Sequence, residues 1–316
     1  HAATQLGLPE ERVFKTLLAH HDKQAVVAIV PSSGMCSLKQ LAKATGLIKL
    51  DAMESPYPWP GALEHEWLEA LRGAEVNRYP DPGAARLKAK LREVMGVPDE
   101  ADVLLGNGSD ELIQILLTAV AGPGRTVLAP EPTFVMYRQV ARTLGMRFVG
   151  VPLREPDFAL DPDALLAAVQ AHDPAVMFLA YPNNPTGNLF DAVAIERVLE
   201  AARGLVVVDE AYTPFAQVSY LSEVPRHPRL LVIRTVSKLG LAGLRLGWLA
   251  GAPAWVRELE KVRLPYNINV LTQLSAQLAL EHMTVLEEQT ARVRVDREVL
   301  RVALEALPGL TVWPSR

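Results

Sequence analysis

The sequence predicts an α/β fold, a mostly parallel central sheet flanked by helices. Three observations predict it. Runs such as TVLAP, AVMFLAY and LVVVDE are apolar along their whole length, as strands buried on both faces are. Segments with helical spacing of apolar residues separate these runs, so strand and helix alternate along most of the chain. The composition also supports a sizeable core, with 316 residues, 49% of them hydrophobic and 22% charged.

The elements start with LPEERVFKTLL, whose proline and paired acids suit a helix N-terminus. QAVVAIVP reads as a strand, and SLKQLAKATG as a Ser-capped helix closed by Gly46. ESPYPWPG (54–61) holds too much proline to pair regularly and reads as a linker or an arm. Helices are expected at 64–73 and 83–95, then strand ADVLL, helix DELIQILLTAV, strand TVLAP, helix TFVMYRQVARTLG and strand RFVGVPL. Helix DPDALLAAVQ, strand AVMFLAY, helix DAVAIERVLEAA and strands LVVVDE, RLLVIRT and GWLAG follow. Helical segments are expected at 253–263 and 268–306, and a strand begins at LTVWPSR.

Composition excludes several functions. A net charge of −4 gives no field that would favour nucleic acid or an anionic membrane. The single cysteine, Cys36, excludes an internal disulfide and a cysteine-built zinc site and fits a reducing cytoplasm. No apolar run approaches the roughly 20 residues of a membrane span, and there is no signal-peptide pattern, repeat or low-complexity tract. The chain begins at His1, not Met, and is expected to be a fragment or a processed product.

In an open parallel sheet, ligands sit at the carboxyl ends of strands, and four such ends carry reactive residues. In LLGNGSDE (104–111), Gly108, Ser109 and Asp110 open a helix whose free N–H groups suit an anion, or form only a capped turn. It is neither a P-loop nor a dinucleotide fingerprint, because no Gly-Lys-Ser/Thr follows and Glu111 takes the third glycine position. In YPNNPTGN (181–188), paired asparagines could donate to a ligand oxygen or simply build a tight loop. In LVVVDEAY (205–212), Asp209 is a buried acid facing either a core cation or a ligand's protonated nitrogen. The fourth end is RTVSKLGLAGLRLGW, where Thr235, Ser237 and Arg245 form a phosphate grip. Beside them, Lys238 is an amine that desolvation would activate for Schiff-base chemistry, or a lysine that snorkels to the surface.

Together these loops supply phosphate donors, an acid for a pyridinium, donors for a ring oxygen and an amine. Here NNPTG, VVDEAY and SK…GLRLG resemble the fold-type I pyridoxal-phosphate aminotransferases. KLDAMESPYPWP, NRYPDP, GNGSDE, PTFVMY and LPYNINVLTQ are similar to signatures of the histidinol-phosphate aminotransferases, over about residues 44–316. The resemblance implies a pyridoxal 5′-phosphate cofactor and transamination of L-histidinol phosphate with 2-oxoglutarate, giving imidazole-acetol phosphate and glutamate, in histidine biosynthesis. It implies that Lys238 carries the cofactor covalently and shuttles the substrate proton, that Asp209 keeps the ring nitrogen protonated, and that Asn184 and Tyr212 bind the ring oxygen. Phe134 would stack on the ring. Gly108, Ser109, Asp110, Thr235, Ser237 and Arg245 would surround the phosphate, joined by Tyr79 from the partner subunit of a homodimer. Tyr57 is expected to contact substrate.

The implied division is a segment at 1–46, a Pro-rich arm at 47–62, a large cofactor-binding domain at 63–265 and the start of a smaller C-terminal α+β domain at 266–316. That last domain is expected to be incomplete, lacking the family's substrate-binding arginines, so cofactor binding should be more secure than turnover. Met53 stands where the family usually has Asn, and the Lys238-to-Arg245 interval is one residue shorter than in many fold-type I members. The first 46 residues are similar to the start of the aminoacyl-tRNA-editing family that includes Cys-tRNA(Pro) deacylases, with Lys15 at its functional lysine. They lack that family's Gly-rich loop, so Lys15 is read as a surface lysine. The rival readings are an aromatic-amino-acid aminotransferase, a threonine-phosphate decarboxylase, or a tRNA-binding module.

Overall fold

The computed structural model describes residues 53–309 and 311–316 in full, and 14–21, 24–31 and 48–49 as backbone. The chain divides into two compact units, His1–Glu54 and Ser55–Arg316.

In the first unit, β1 (Phe14–His21) and β2 (Gln24–Pro31) form an antiparallel hairpin in register from Phe14↔Pro31 to His21↔Gln24. The short β3 (Ile48–Lys49) pairs with β1 on its other edge. The strand expected at QAVVAIVP is present. Of the helix expected over LPEERVFKTLL, residues 14–18 are strand instead, paired with β2 from Phe14↔Pro31 to Leu18↔Val27, and residues 8–13 lie outside the described residues. Cross-strand ladder bonds override the weak helix signal of one proline and two acids. Lys15 therefore lies on a strand, not on a helix. The helix expected at SLKQLAKATG lies outside the described residues.

The second unit is built on a seven-stranded sheet in the order β4-β10-β9-β8-β7-β5-β6. The strands are β4 (Asp102–Gly106), β5 (Thr126–Glu131), β6 (Arg147–Pro152), β7 (Val176–Ala180), β8 (Leu205–Asp209), β9 (Leu230–Thr235) and β10 (Gly247–Gly251). All run the same way except β10, which is antiparallel to both neighbours. The chain length explains this reversal. Residues 236–246 join β9 to β10, fewer than the dozen or so a parallel crossover requires.

The full-length apolarity of the strands has its cause in the two cores. Leu104, Val127, Phe178, Val207, Ile233 and Leu249 enter one, and their neighbours Leu105, Leu128, Leu179, Val208, Val232 and Ala250 enter the other. The first core is covered by α3 (Ser109–Val120), α4 (Val135–Thr143) and α8 (Pro253–Glu260). The second is covered by α2 (Ala85–Met95), α5 (Pro162–His172), α6 (Ala192–Ala201), α9 (Val270–Glu281) and α10 (Met283–Glu305). Preceding these are α1 (Gly61–Arg72) and, after β8, the short α7 (Thr213–Ala216). The helix expected over 268–306 is two helices, interrupted at His282 (φ −112°, ψ 36°).

Residues 311–316 form no strand. Their hydrogen bonds go to loops instead. The Trp313 indole N–H donates to the Pro156 carbonyl (2.7 Å), and the Arg316 amide donates to the Gly187 carbonyl (2.8 Å). No helix among the described residues is long and apolar enough to cross a membrane.

Candidate active site

Strands β4, β7, β8 and β9 end at one open cleft of about 140 Å³. Asp209, the last residue of β8, is buried there at 4% exposure. Its Oδ2 accepts from the Tyr137 hydroxyl (2.6 Å) and its Oδ1 from the Ala211 amide (3.1 Å). Burial pushes its carboxyl up to about 6, against the pull of those two donors, and the charges of Asp110 and Glu210 push the same way.

The next residue serves the opposite face of the sheet. Glu210 is 1% exposed, and its carboxylate accepts from Arg234 Nε (2.8 Å), Ser219 Oγ (2.9 Å) and the Tyr220 amide (2.5 Å). Strand alternation thus separates the two acids of VVDEAY into an acid of the cleft and an acid that anchors the loop beyond it.

Lys238 follows β9 on a single 3₁₀ turn, Ser237–Leu239, and is half-buried, with its Nζ 5.5 Å from the centre of the Tyr212 ring. Asn184 donates to the Tyr212 hydroxyl (3.2 Å), whose proton is held more tightly through burial and the nearby Asp209 charge. The two asparagines of NNPTG divide their work. Asn183 is buried and braces the loop, donating to Pro132 O (3.0 Å) and Thr186 Oγ1 (2.7 Å) and accepting from Thr133 Oγ1 (3.0 Å). Asn184 alone of the pair lines the cleft.

The other end of the cleft is built for an anion. Helix α3 starts there after Gly108, whose φ of +85° suits glycine. A Cβ at 108 would lie 2.5 Å from the Arg245 guanidinium, and one at 247 would lie 2.7 Å from the Ser109 amide nitrogen. These two glycines let Arg245 and the start of β10 press against the helix N-terminus. The Thr235 hydroxyl accepts from the Ser237 amide (3.1 Å) and donates to the Leu246 carbonyl (3.1 Å), which pins the turn before Lys238. Arg245 pairs with Asp110 at 3.6 Å, both about half exposed. Such a pair is worth about 0–1 kcal/mol, so an incoming anion displaces it readily.

Ser109, Asp110, Phe134, Asn184, Asp209, Tyr212, Thr235, Ser237, Lys238 and Arg245 all line this cleft, and Gly108 lies directly behind Arg245. Tyr79 and Tyr57 do not line it. Tyr79 is 81% exposed and stacked on Tyr266 (4.4 Å between centroids, 19°). The Tyr57 hydroxyl lies 3.3 Å from Asp296 Oδ2, with the Arg292 guanidinium 5.7 Å from the ring centre. Sequence reasoning missed Tyr137, which is fully buried, parallel to Phe178 (4.4 Å, 7°) and edge-on to Phe134 (5.6 Å, 82°). The available signal was its place in PTFVMY, three residues after Phe134 and so on the same helical face.

Residues 45–316 match the family described as aminotransferase class I and II. A histidinol-phosphate aminotransferase 2 of Nitrosococcus oceani is 56% identical over 287 residues, covering 91% of this chain and 79% of that protein. A histidinol-phosphate aminotransferase 1 of Ralstonia nicotianae is 57% identical over 277 residues, covering 86% and 74%. Among solved structures, the histidinol-phosphate aminotransferase of Sinorhizobium meliloti in complex with pyridoxal-5′-phosphate matches with a TM-score of 0.78 at 25% identity, over 90% of this chain and 78% of that one. Residues 1–44 lie before the family match, so it lends nothing to the tRNA-editing resemblance there. The rest of the chain agrees in sequence, fold and cleft: it belongs to the class I and II aminotransferases and, among them, to the histidinol-phosphate aminotransferases.

Proposed function

We propose that this chain transfers the amino group between L-histidinol phosphate and 2-oxoglutarate, giving imidazole-acetol phosphate and glutamate, with pyridoxal 5′-phosphate as its cofactor. One observation carries the reading. A single cleft joins an amine on a tight turn, a buried acid, and a helix N-terminus flanked by a hydroxyl and an arginine.

The residues present fit the cofactor. Gly108 and Gly247 keep open the space a phosphate needs against the first amides of α3. Asp209 is buried with neutral donors on both oxygens, and a protonated ring nitrogen is the cation that would favour its ionised form. When bound, the group supplies a covalent hold on the amino nitrogen and a sink for the electrons released at the α-carbon. The chain supplies the rest. Asp209 would hold the proton on the ring nitrogen, Asn184 and Tyr212 would hydrogen-bond the ring oxygen, and Phe134 would pack against the ring. The Ser109 and Asp110 amides, Ser237 and Arg245 would hold the phosphate, with Thr235 fixing Ser237. Lys238 would hold the cofactor and is placed to move the proton at the substrate α-carbon.

Tyr57 is the proposed substrate contact on the arm. The enzyme works as a cytoplasmic homodimer, in which the exposed Tyr79 of one subunit reaches the phosphate of the other. The test is an absorbance spectrum before and after borohydride, followed by peptide mapping. A yellow protein that becomes stably labelled at Lys238, and is converted faster by histidinol phosphate than by aromatic amino acids, supports the proposal. A colourless protein unaffected by Lys238→Ala overturns it.

A further inference from the structure

The hydroxyl of Tyr137 makes one hydrogen bond, to Asp209 Oδ2, and its ring is held by something else. The residue is fully buried, parallel to Phe178 of β7 and edge-on to Phe134. Its position on α4 is therefore set by aromatic packing, and the phenol reaches Asp209 already aimed. The Ala211 amide holds the other carboxylate oxygen. An ionised carboxylate has about four acceptor positions. With one taken on each oxygen, the plane of the carboxylate is fixed and the remaining positions are left for the cleft that Asp209 lines.

The charged groups around this acid mostly oppose its ionisation. Asp110 on α3 and Glu210 at the end of β8 both favour a proton on Asp209, and burial does so more strongly. Tyr212, Lys238 and Arg245 line the same cleft. The groups that act directly on the carboxylate in the other direction are Tyr137 and the Ala211 amide.

We propose that Tyr137 is a positioning residue of this site: its phenol keeps Asp209 ionised and turns the free lone pairs of that carboxylate toward a protonated ring nitrogen in the cleft. This rests on the aminotransferase reading above. A hydrogen bond to a charged group lost from a buried site corresponds to a rise of about one to two pH units in the midpoint of the acid. An acid with a raised midpoint is neutral over a wider range below it. A Tyr137→Phe enzyme would therefore hold a cationic ring nitrogen poorly near neutrality and recover at higher pH.

Two measurements on Tyr137→Phe test this. The first follows the Asp209 carboxyl carbon by NMR in the cofactor-free protein, with Asp209→Asn identifying the signal. The midpoint is expected near 6 in the parent chain and about one to two units higher in the variant. An unchanged midpoint overturns the proposal. The second measures affinity for pyridoxal 5′-phosphate against pH. A loss of about two- to tenfold at neutral pH that disappears at higher pH is expected. A loss of the same size at every pH would mean that Tyr137 only packs, and would also overturn it. If the parent chain bound no pyridoxal 5′-phosphate, the cofactor reading would fall, while the NMR midpoint would still decide whether Tyr137 governs Asp209. Phenylalanine preserves the ring contacts. Should that variant not fold, fluorotyrosine placed at 137 provides a stronger donor of the same shape, and must lower the midpoint instead of raising it.

Discussion

Arg234 Nε lies 2.8 Å from Glu210 Oε2, and this ion pair ties β9 to the loop beyond β8 on the opposite face from the cleft. Glu210 is 1% exposed, and the Arg234 guanidinium also lies 5.3 Å from the centre of the Trp248 ring. Removing one partner leaves the other buried and charged, which costs about 3–5 kcal/mol. Arg234→Met should therefore lower the thermal midpoint by about 10 °C. The double variant Glu210→Gln, Arg234→Met should recover much of that loss. Equal loss in the single and double variants, measured by calorimetry, would show that the charge pair is not what ties these elements together.

Gly108 presses on Arg245 at a backbone angle that L-residues rarely adopt. Gly108→Ala adds about 1–3 kcal/mol of backbone strain, because φ 85°, ψ 168° is a region essentially reserved for glycine, and pushes the guanidinium off the helix N-terminus. The expected result is roughly tenfold weaker binding of pyridoxal 5′-phosphate, each 1.4 kcal/mol being a factor of ten. Fluorescence titration measures it. Gly247→Ala should cost more, because its Cβ meets backbone atoms of Gly108 and Ser109, not the end of a side chain that can swing away.

Asp110 pairs with Arg245 at 3.6 Å and would compete for it with a phosphate bound at the helix N-terminus. Because both side chains are about half exposed, solvent screening limits the pair to about 0–1 kcal/mol. Asp110→Asn should thus tighten binding of inorganic phosphate by no more than a few-fold. Arg245→Lys should weaken it by about tenfold or more, since a lysine cannot make the forked contact. Isothermal titration of the cofactor-free protein separates the two. A tightening of a hundredfold in Asp110→Asn would mean that the carboxylate, not the arginine, dominates this end of the cleft.

The parts of the molecule legible in the sequence are those whose residues report one environment each. β7 and β8 are apolar throughout because adjacent side chains enter two different cores, so neither face needs a polar residue. Asp209 and Lys238 were legible because each interrupts such a pattern at a strand end, where a charge requires a reason. Tyr137 interrupts nothing. It fits the apolar stripe of its helix, and the acceptor that gives its hydroxyl a purpose is 72 residues away. Partner pairing also explains why Phe14–His21 is a strand, since it takes its conformation from β2, which no residue of its own signals. The roles of Tyr57 and Tyr79 came from resemblance alone, and within this chain both side chains sit on other partners, Asp296 and Tyr266.

The last prediction concerns stability against pH. Burial raises Asp209 from 3.8 in the unfolded chain to about 6 in the folded one. The folded protein therefore binds the proton more tightly, so the stabilising contribution is complete below pH 4 and is lost as pH rises through 6. For a shift of this size the loss is about 3 kcal/mol. The cofactor-free protein should accordingly lose stability between about pH 4 and 6. Asp209→Asn removes the titrating group and should flatten that part of the curve. Pyridoxal 5′-phosphate should oppose the loss, because a ring cation beside Asp209 favours the ionised acid and stabilises the fold by binding it alone. Urea unfolding at a series of pH values, with and without cofactor, measures both effects. A cofactor-free curve with the same slope in the parent chain and in Asp209→Asn would show that this carboxyl is not held as a buried, uncompensated acid.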